Sequence, residues 1–427
     1  MGIRRLFLGG LFSCHLVFGY NLYYGNLHSH TSYSDGQSIP RHAFAYARDT
    51  ARIQVLAITD HGEMLSAAEW EDTKIQADSA TRPDIFLGLA GFEWSSPILG
   101  HLNVLNTIDY TNCLQNPTMR LIYQWLALRE GAIGQFNHPT PQNYNSFAYD
   151  PIGDLSLTLF EIQNRDQARR FHIALDSGWR VGIAANQDNH TANWGLGNQL
   201  TGIWAESLTL SSIISALQNM RTFGTLDRNF QLSFKANNQW MGSVIPNGEI
   251  EFEIWAFDPD LSERIKRINL ITNNNRIVDS LICDTNEITW QTRTNTSPND
   301  KCYFFVLVIE QDNDYIVSSP VWTEGGVAIR DRQDRFALTS DKISPNPFTS
   351  TITFTFSPGE IKDLKEIKIY SSTGRAIKSF SPPPTAGSIS WDGKDGRGRE
   401  IPVGAYFLIL DRGSDKRVKK LLRLSPN

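Results

Sequence analysis

Short apolar runs and amphipathic stretches alternate along residues 20–226, and this alternation predicts the first half of the fold. The runs typical of buried strands are Leu22–Leu27, Val55–Thr59, Ile85–Phe92, His101–Leu105, Ala132–Phe136, Leu159–Ile162 and Val181–Ala185. The stretches with helical spacing include Arg41–Ile53, Thr118–Arg129 and Asp166–Asp176. Strands that alternate with helices indicate β-α-β units. Seven strands without a Rossmann glycine fingerprint favour a closed α/β barrel over an open sheet.

The pattern changes to a period of two after residue 226. Residues 250–254 alternate between apolar and acidic side chains, as in a half-buried strand, and Tyr303–Ile309 is a continuous apolar run. Residues 227–324 therefore predict a small β-sandwich. The charged residues 325–340 predict a linker, and a second small all-β sandwich is expected over residues 341–427.

The first 19 residues have the pattern of an export signal. Arg4 and Arg5 precede an apolar run from Leu6 to Phe18, which is too short to span a bilayer. A buried first strand and a lipoprotein-type cleavage at Cys14 are the alternatives. Nothing else in the sequence approaches the ~20 apolar residues of a transmembrane helix.

Charge and cysteine content restrict the partners. The net charge is −5 and the sequence has no long basic run, so no DNA or RNA partner is expected. Cys283 and Cys302 flank two strand-like runs. They either form a disulfide in an oxidising compartment or remain free thiols.

Six of the nine histidines occur in short blocks with other metal-ligand residues, mostly at or just past the ends of the predicted strands. The blocks are His28-Ser-His30 with Asp35, Thr59-Asp60-His61, Glu93 with His101, Asn137-His138-Pro139, and Asp188-Asn189-His190. In an α/β barrel the carboxyl ends of the strands meet at one face. Imidazole and carboxylate together suit zinc, manganese and iron. Because the ligands outnumber the four of one tetrahedral ion, we expect two to three divalent transition-metal ions.

Spacing suggests how some of these residues act. His28 and His30 point to the same side of a strand, because side chains alternate with period two. Glu93 follows an apolar run, where an unpaired carboxylate is costly, and is the expected bridge between two ions. Asp188 would complete the first ion, and His101 with His138 the second.

Several further polar residues have weaker predicted roles. Asp35, His61 and His190 remain as a possible third set of ligands. Asp60 is expected to orient an imidazole. Glu63 and Glu161 are interpreted mainly as solvated residues or as supports for the ligands. The remaining histidines of the predicted barrel, His42 and His172, are expected at the surface.

The series of blocks resembles the motif series of the PHP (polymerase and histidinol phosphatase) superfamily over residues 22–226. The resemblance implies a distorted seven-stranded barrel with a dinuclear or trinuclear site. It also implies three ligand sets, namely His28, His30, Glu93 and Asp188; Glu93, His101 and His138; and Asp35, His61 and His190. Tyr24-Gly25-Asn26 and Trp194-Gly195 resemble the carbaryl-hydrolase-like branch. Gln187 departs from the pattern, since a small residue commonly precedes the aspartate.

The C-terminal module resembles a second family. Its Pro345-Asn346-Pro347-Phe348 start and Trp391-Asp392-Gly393 core are similar to the FlgD-like immunoglobulin fold, which often serves as a type IX secretion sorting domain. A carbohydrate-binding or structural β-sandwich is the alternative. Together with the signal peptide, the resemblance implies that the secretion machinery is a partner. It also implies a protein of a Gram-negative bacterium that passes the periplasm and is secreted or held at the cell surface.

We therefore expect a secreted metal-dependent hydrolase, with phosphoesters as the leading substrate class. The expected nucleophile is a hydroxide held between ions by Glu93, Asp188 and His138. No arginine or lysine stands beside a motif, which leaves hydrolysis of carbamate or carboxylate esters as the alternative. A hypothesis of another class is an exported binding or adhesion protein with an inactive barrel.

Overall fold

In the computed structural model, the structure describes residues 19–324, 343–346, 348–356, 364–371, 375–382, 387–411 and 416–424. All but the last residue of the predicted signal peptide, and the whole predicted linker, lie outside these residues. No helix in the described ranges is long and apolar enough to cross a membrane.

All seven predicted strands are present, and two more follow them. The strands are β1 (Asn21–Asn26), β2 (Val55–Ile58), β3 (Leu87–Ser96), β4 (Gly100–Leu105), β5 (Ile133–Asn137), β6 (Leu157–Ile162), β7 (Gly182–Ala185), β8 (Leu200–Ala205) and β9 (Thr222–Thr225). The last two contain glycine, which weakens a strand pattern in the sequence. Gly202 of β8 is required by packing, because a Cβ there would lie 2.2 Å from the ring of Phe223.

Six helical segments connect these strands. They are α1 (Pro40–Tyr46), which continues as a π-helical turn (Ala47–Ala51), α2 (Ala67–Ala80), α3 (Met119–Ala127), α4 (Asn143–Phe147), α5 (Arg165–Asp176) and α6 (Leu210–Gln218). Polar caps fix their starts: Ser66 and Glu69 form a capping box at α2, and Thr118, Asn164 and Thr209 accept backbone N–H bonds at α3, α5 and α6.

The expected closed seven-stranded barrel is not what the backbone hydrogen bonds show. The sheet runs in the order β9-β8-β1-β2-β3-β4-β5-β6-β7. It is mixed, because β4 is antiparallel to both β3 and β5, and β8 is antiparallel to β1. No strand ladder in residues 19–324 joins β7 back to β8 or β9. The fold is therefore α/β with an open, curled sheet.

Side chains instead bridge the open edge. The Thr222 hydroxyl donates to the carbonyl of Ile183 at 2.7 Å, and the Thr201 hydroxyl donates to the carbonyl of Ala185 at 2.9 Å. The backbone N–H of Ile183 donates to the hydroxyl of Ser319 at 2.9 Å. The edge of β7 thus satisfies its backbone groups without a neighbouring strand.

The second region consists of two packed β-sheets. Its strands are β10 (Gln231–Ala236), β11 (Gln239–Trp240), β12 (Val244–Pro246), β13 (Glu249–Phe257), β14 (Ile265–Thr272), β15 (Arg276–Thr285), β16 (Glu287–Asn295), β17 (Tyr303–Glu310), β18 (Tyr315–Ser318) and β19 (Val321–Glu324). Strands β11-β10-β13-β16 form one sheet. In the other, β18 pairs with β9, so this sheet continues the sheet of the first region. Phe305 also packs on Phe171 of α5.

The cysteines of this region are unpaired. Cys283 lies on β15 and Cys302 lies just before β17, and both are free thiols in the structure. Of the two alternatives left by the sequence, the structure has the free thiols.

The C-terminal region has a core of its own. Its strands are β20 (Ile343–Ser344), β21 (Ile352–Phe356), β22 (Glu366–Ser371), β23 (Ala376–Phe380), β24 (Gly387–Trp391), β25 (Gly404–Asp411) and β26 (Lys416–Arg423). They form the sheets β20-β21-β24 and β23-β22-β25-β26. Between the sheets, Phe354, Trp391 and Leu408 are buried together in a separate hydrophobic cluster.

Candidate metal centre

The topology brings all nine predicted ligands to one edge of the sheet. The imidazoles of His28 and His30 follow β1, His61 follows β2, His138 follows β5, and Asp188 and His190 follow β7. Glu93 lies within β3. Because β4 is antiparallel to β3, its first residues lie at the same edge, and this places His101 opposite Ser95.

Glu93 occupies the middle of the cluster. Its Oε1 atom lies 3.3 Å from His28 Nε2, 3.2 Å from His101 Nδ1 and 3.4 Å from His138 Nε2. Its Oε2 atom lies 2.9 Å from His61 Nδ1. His30 Nε2 also lies 3.7 Å from Oε2. The carboxylate is 1% exposed, so one buried anion faces five imidazoles.

The two histidines of the HxH block face the same point, as their spacing predicts. Their Nε2 atoms are 3.1 Å apart. Each Nε2 atom also lies 3.2 Å from Asp188 Oδ1. With the oxygens of Glu93 on the other side, these atoms form a first ligand set of two imidazoles and two carboxylates.

A more exposed set lies beside the first. Asp35 Oδ1 is 3.2 Å from His190 Nε2, 3.5 Å from His61 Nε2 and 3.9 Å from His30 Nδ1. Asp35 is 49% exposed and His190 37%, whereas His28 and Glu93 are buried. The centre therefore has a closed floor and an open side on which Asp35 and His190 lie.

Three groups of atoms are compact enough to hold metal ions. The ligand atoms of each group lie within 4.8 Å of one another, and the groups are His28, His30 and Glu93; Glu93, His101 and His138; and His30, Asp35, His61 and His190. The chemistry of the donors fits, because imidazole and carboxylate suit zinc, manganese and iron. A further sign is that the buried His101 Nδ1, although 3.2 Å from Glu93 Oε1, makes no well-aligned hydrogen bond. His30 adjoins two groups, whereas the family resemblance assigns it to one.

Glu161 is the main residue that the sequence analysis undervalued. It is fully buried on β6, and its Oε1 atom lies 2.8 Å from His28 Nδ1. Its Oε2 atom accepts the backbone N–H of His138 at 2.6 Å. A carboxylate behind a ligand imidazole fixes the ring and its tautomer. The signal in the sequence was its place in the apolar run 159–162, where a carboxylate needs a partner.

Asp60 acts on a loop rather than directly on an imidazole. Its carboxylate accepts the backbone N–H and the hydroxyl of Thr31 at 2.7 and 2.6 Å, and the hydroxyl of Ser34 at 2.5 Å. Ser34 Oγ in turn lies 3.3 Å from His30 Nδ1. Asp60 thus reaches an imidazole, that of His30, through Ser34. Glu63 accepts the backbone N–H groups of Ser95 and Cys113.

Neutral side chains hydrogen-bond to the Glu93 carboxylate and to the backbone around the other ligands. The Trp194 indole donates to the carbonyl of His30 at 2.9 Å, and Asn137 Nδ2 donates to Glu93 Oε1 at 2.7 Å. The hydroxyl of Tyr144 lies 2.7 Å from the carbonyl oxygens of both His101 and Asn137.

Part of this framework has a left-handed backbone. Residues 144–147 of α4 all have φ between 54° and 57°, and His138 and Asp188 have φ of 30° and 52°. Such conformations cost free energy in residues other than glycine. They persist where the surrounding packing enforces them, as it does around functional sites.

Burial and mutual attraction act in opposite directions on the charges of the centre. Burial alone would raise the pKa of Glu93, but His28, His101 and His138 hold it well below its usual range. Burial alone would lower the pKa of His28, but Asp188, Glu161 and Glu93 raise it well above 6.5. For His30 burial dominates and lowers the pKa. The carboxylate of Glu93 therefore favours its ionised form, as a metal ligand must.

Comparisons with known proteins give only distant similarities. No family model and no curated protein matches the chain. A solved two-domain protein from Bacteroides vulgatus, described as containing a predicted PHP-like metal-dependent phosphoesterase, is 15% identical. That match covers 70% of this chain and 96% of the other, with a TM-score of 0.41.

Two further solved structures come from Porphyromonas gingivalis. Dimeric latent PorU is 17% identical over 45% of this chain and 20% of its own, with a TM-score of 0.19. PorZ, described as a surface component of the type-IX secretion system, is 10% identical over 53% of this chain and 28% of its own, with a TM-score of 0.17. None of these similarities assigns the chain to a family, so its function is argued from the centre itself.

Proposed function

We propose that the protein is a metal-dependent hydrolase, with phosphoesters as its leading substrate class. The observation that carries this proposal is the convergence of nine imidazole and carboxylate ligands, with the buried Glu93 in their middle. Divalent ions in these groups would act as Lewis acids and would make a coordinated water nucleophilic near neutral pH.

The residues of the chain divide the work of such a site. Glu93, His28 and His30 form a buried floor that excludes bulk water from below. Glu161 keeps the proton of His28 on Nδ1, which leaves Nε2 directed at the centre. The substrate would approach the open side, where Asp35 and His190 are exposed.

The finer assignment to the PHP superfamily, and to its carbaryl-hydrolase-like branch, is also a proposal. The order of the motif blocks supports it. The strand ends support it further, because each block lies at the same edge of the sheet although β4 is antiparallel to β3 and β5. We propose two to three ions of zinc, manganese or iron at this centre.

One observation favours carbamate or carboxylate esters as a second substrate class. Within residues 19–324, every ion pair found for the nine ligands is with another of the nine or with Glu161. No lysine or arginine among those pairs provides a clamp for a phosphate group. The same centre can attack an acyl carbon, which needs no such clamp.

A substrate panel tests the proposal and separates the two classes. The protein is stripped with a chelator, reloaded with zinc, manganese or iron, and assayed on p-nitrophenyl phosphate, bis-p-nitrophenyl phosphate, carboxylate esters and aryl carbamates. Activity that depends on the metal and is confined to phosphoesters would support the leading class. Activity on the acyl compounds alone would replace it with the second.

Two histidine variants provide the matched comparison. His30→Ala should lose metal and activity together. His42→Ala should retain both, because the His42 side chain is exposed and its hydrogen bond is to Ser38, outside the centre. A protein that binds less than one ion per chain and turns over none of these compounds would favour the binding or adhesion hypothesis instead.

We also propose that the protein is exported and that residues 341–427 act as its sorting address. The N-terminal pattern of Arg4, Arg5 and the following apolar run supports export. The C-terminal motifs and the separate hydrophobic core of that region support an independent module.

A further inference from the structure

A second group of buried carboxylates lies outside the histidine centre, where the first sheet passes into the sandwich. Asp227 follows β9, Asp258 follows β13, Glu263 lies in the loop before β14, and Glu310 ends β17. Oxygens of Asp227, Asp258 and Glu263 lie within 4.8 Å of one another. Glu310 adjoins Asp258. We refer to these four residues as the junction cluster.

The oxygens of the cluster lack the partners that buried anions require. Asp258 and Glu310 are completely buried. Asp258 Oδ2 and both carboxyl oxygens of Glu310 meet each other without a donor from any other described residue, and Asn229 Oδ1, two residues after Asp227, is also buried and unpaired. Leaving even one such group unsatisfied costs on the order of 1–3 kcal/mol. Several in one place therefore indicate a missing ligand that is attracted to oxygen.

No basic side chain found in the described ranges compensates the charge. Arg228 is next to Asp227 in sequence, but its guanidinium donates to the carbonyls of Gly195 and Gly197. Arg264 pairs with Asp284 instead. The junction cluster thus differs from an ordinary ion-pair network, in which arginine or lysine would face the carboxylates.

The rest of the cluster is already held in place by backbone groups. Asp227 Oδ1 accepts the N–H groups of Asn229 and Phe230 at 2.8 and 3.2 Å. Asp258 Oδ1 accepts the N–H of Asp260 at 2.8 Å. These bonds orient one oxygen of each carboxylate and leave the other directed at the cluster.

We propose that the junction cluster binds a calcium ion. All of its donors are oxygens, without the imidazole or thiolate that transition metals prefer. Calcium accepts six to eight carboxylate, amide and water oxygens in flexible geometry. The buried carboxyl groups of Asp258 and Glu310, with oxygens of Asp227 and Glu263 close to Asp258, match that requirement, and waters would complete the shell.

The ion would join parts of the chain that are distant in sequence. Asp227 belongs to the end of the first sheet, and the other three residues belong to two separate connections of the sandwich. A ligand that binds only the folded state stabilises it by mass action. The site would therefore hold the sandwich to the strands that carry the histidine centre, without taking part in the chemistry there.

Thermal unfolding with added calcium chloride tests this site in the full chain. The protein is freed of metal by a chelator, dialysed and titrated with calcium chloride while the unfolding midpoint is recorded. A rise of about 5 °C is expected when calcium exceeds its dissociation constant a hundredfold. Calorimetric titration with calcium chloride should give about one ion per chain.

Three variants identify where the ion binds. Glu310→Gln and Asp258→Asn should abolish the calcium shift. Their metal-free midpoints at pH 9 should equal or exceed that of the wild type, because each removes a carboxyl group whose ionisation the buried cluster disfavours. Asp188→Asn, in the histidine centre, should retain the full calcium shift. If one buried variant fails to fold, Glu263→Gln provides the same readout at a partly exposed position.

Two results would overturn the calcium site. One is a wild-type midpoint that millimolar calcium leaves unchanged, with no heat of binding. The other is a calcium shift that survives in Glu310→Gln and Asp258→Asn but disappears in Asp188→Asn, which would place the ion among the histidines. Neither result depends on whether the protein hydrolyses any substrate.

Discussion

The molecule contains two buried groups of carboxylates, and they solve the same electrostatic problem differently. In the histidine centre, five imidazoles face Glu93 and three face Asp188. In the junction cluster, Asp258 and Glu310 face other carboxylates and no imidazole. Consequently the pKa of Glu93 is held well below its usual range, whereas the pKa of Glu310 is raised to about 10.

This difference shows that burial of a carboxylate does not by itself indicate chemistry. Mixed nitrogen and oxygen donors keep the carboxylates ionised and suit ions that activate water. A set of oxygens alone suits an ion that mainly holds structure together. The donors around each carboxylate, rather than its burial, distinguish a candidate catalytic centre from a candidate structural site.

The largest expected effect follows from removing the charge of Glu93. Glu93→Gln leaves five imidazoles around a neutral amide, so metal should be lost and activity should fall about a thousandfold, in line with the several kcal/mol that bound metal supplies. Metal analysis and steady-state kinetics measure both. Glu71→Gln, at an exposed residue paired with Lys74, is the control. Full turnover in the Glu93 variant would contradict its bridging role.

A smaller effect is expected behind the ligands. Glu161→Gln retains every ligand but weakens the hold on His28 Nδ1, so metal affinity should fall about 10- to 100-fold. Competition with a chelator of known affinity measures it. Glu310→Gln, at a buried glutamate of the junction cluster, should leave transition-metal affinity unchanged. An equal loss of transition-metal affinity in both variants would show that the histidine centre and the junction cluster are coupled. The two sites could then not be treated as independent.

The stability of the calcium-free protein should depend on pH through the junction cluster. Burial raises the pKa of Glu310 from 4.5 to about 10. The hydrogen bond with Asp227 raises the pKa of Glu263 to about 7. Between pH 5 and pH 9 the folded state therefore holds protons that the unfolded state has released, so stability should fall as pH rises.

Unfolding midpoints at pH 6 and pH 9 measure this dependence. In Glu310→Gln the decline should be smaller, because the group that titrates is gone. Adding calcium chloride should also reduce the decline, since the ion favours the ionised carboxylates. A wild-type midpoint that is higher at pH 9 than at pH 6 would contradict the sign.

Loss of one hydrogen bond from the framework of the histidine centre should lower the free energy of unfolding modestly. Tyr144→Phe removes the hydroxyl that lies 2.7 Å from the carbonyls of His101 and Asn137, and should cost about 1–2 kcal/mol of unfolding free energy. Tyr123→Phe is a matched control, because the Tyr123 hydroxyl is buried without a partner. Denaturant titration of the two variants should therefore separate them clearly.

The smallest effect on catalysis is expected from deletion of residues 341–427. This region has its own core, so turnover and metal content should change less than about twofold. The shortened protein should accumulate in the periplasm rather than at the surface or in the medium. Normal release from the cell would favour a carbohydrate-binding or structural role for the region.

The histidine centre was predictable because its residues occur in local blocks at strand ends. The HxH pair, Glu93 after an apolar run, and the blocks around His138 and Asp188 all carry their signal within a few positions. The junction cluster has a weaker signal, since Asp227 and Asp258 resemble ordinary turn residues and only Glu310 follows an apolar run. Glu161 is intermediate in this respect. Its position in an apolar run indicates that it needs a partner, but the sequence does not identify His28 as that partner.

The fold was predictable in its strands and less so in their closure. The seven apolar runs are long enough to identify, whereas β8 and β9 are interrupted by Gly202 and Gly224. The direction of β4 depends on pairing between strands, which no local pattern encodes. Likewise, the open edge at β7 depends on where Thr201, Thr222 and Ser319 meet in space.

The bridging hydroxyls at β7 also affect whether the protein self-associates. An unpaired strand edge recruits strands from other molecules and promotes aggregation. Here Thr201, Thr222 and Ser319 occupy the hydrogen-bonding groups that such a strand would need. Because Ser319 lies between the sandwich strands β18 and β19, a fragment ending near residue 226 would leave the backbone N–H of Ile183 without its partner and would tend to self-associate, although it would contain every residue of the histidine centre.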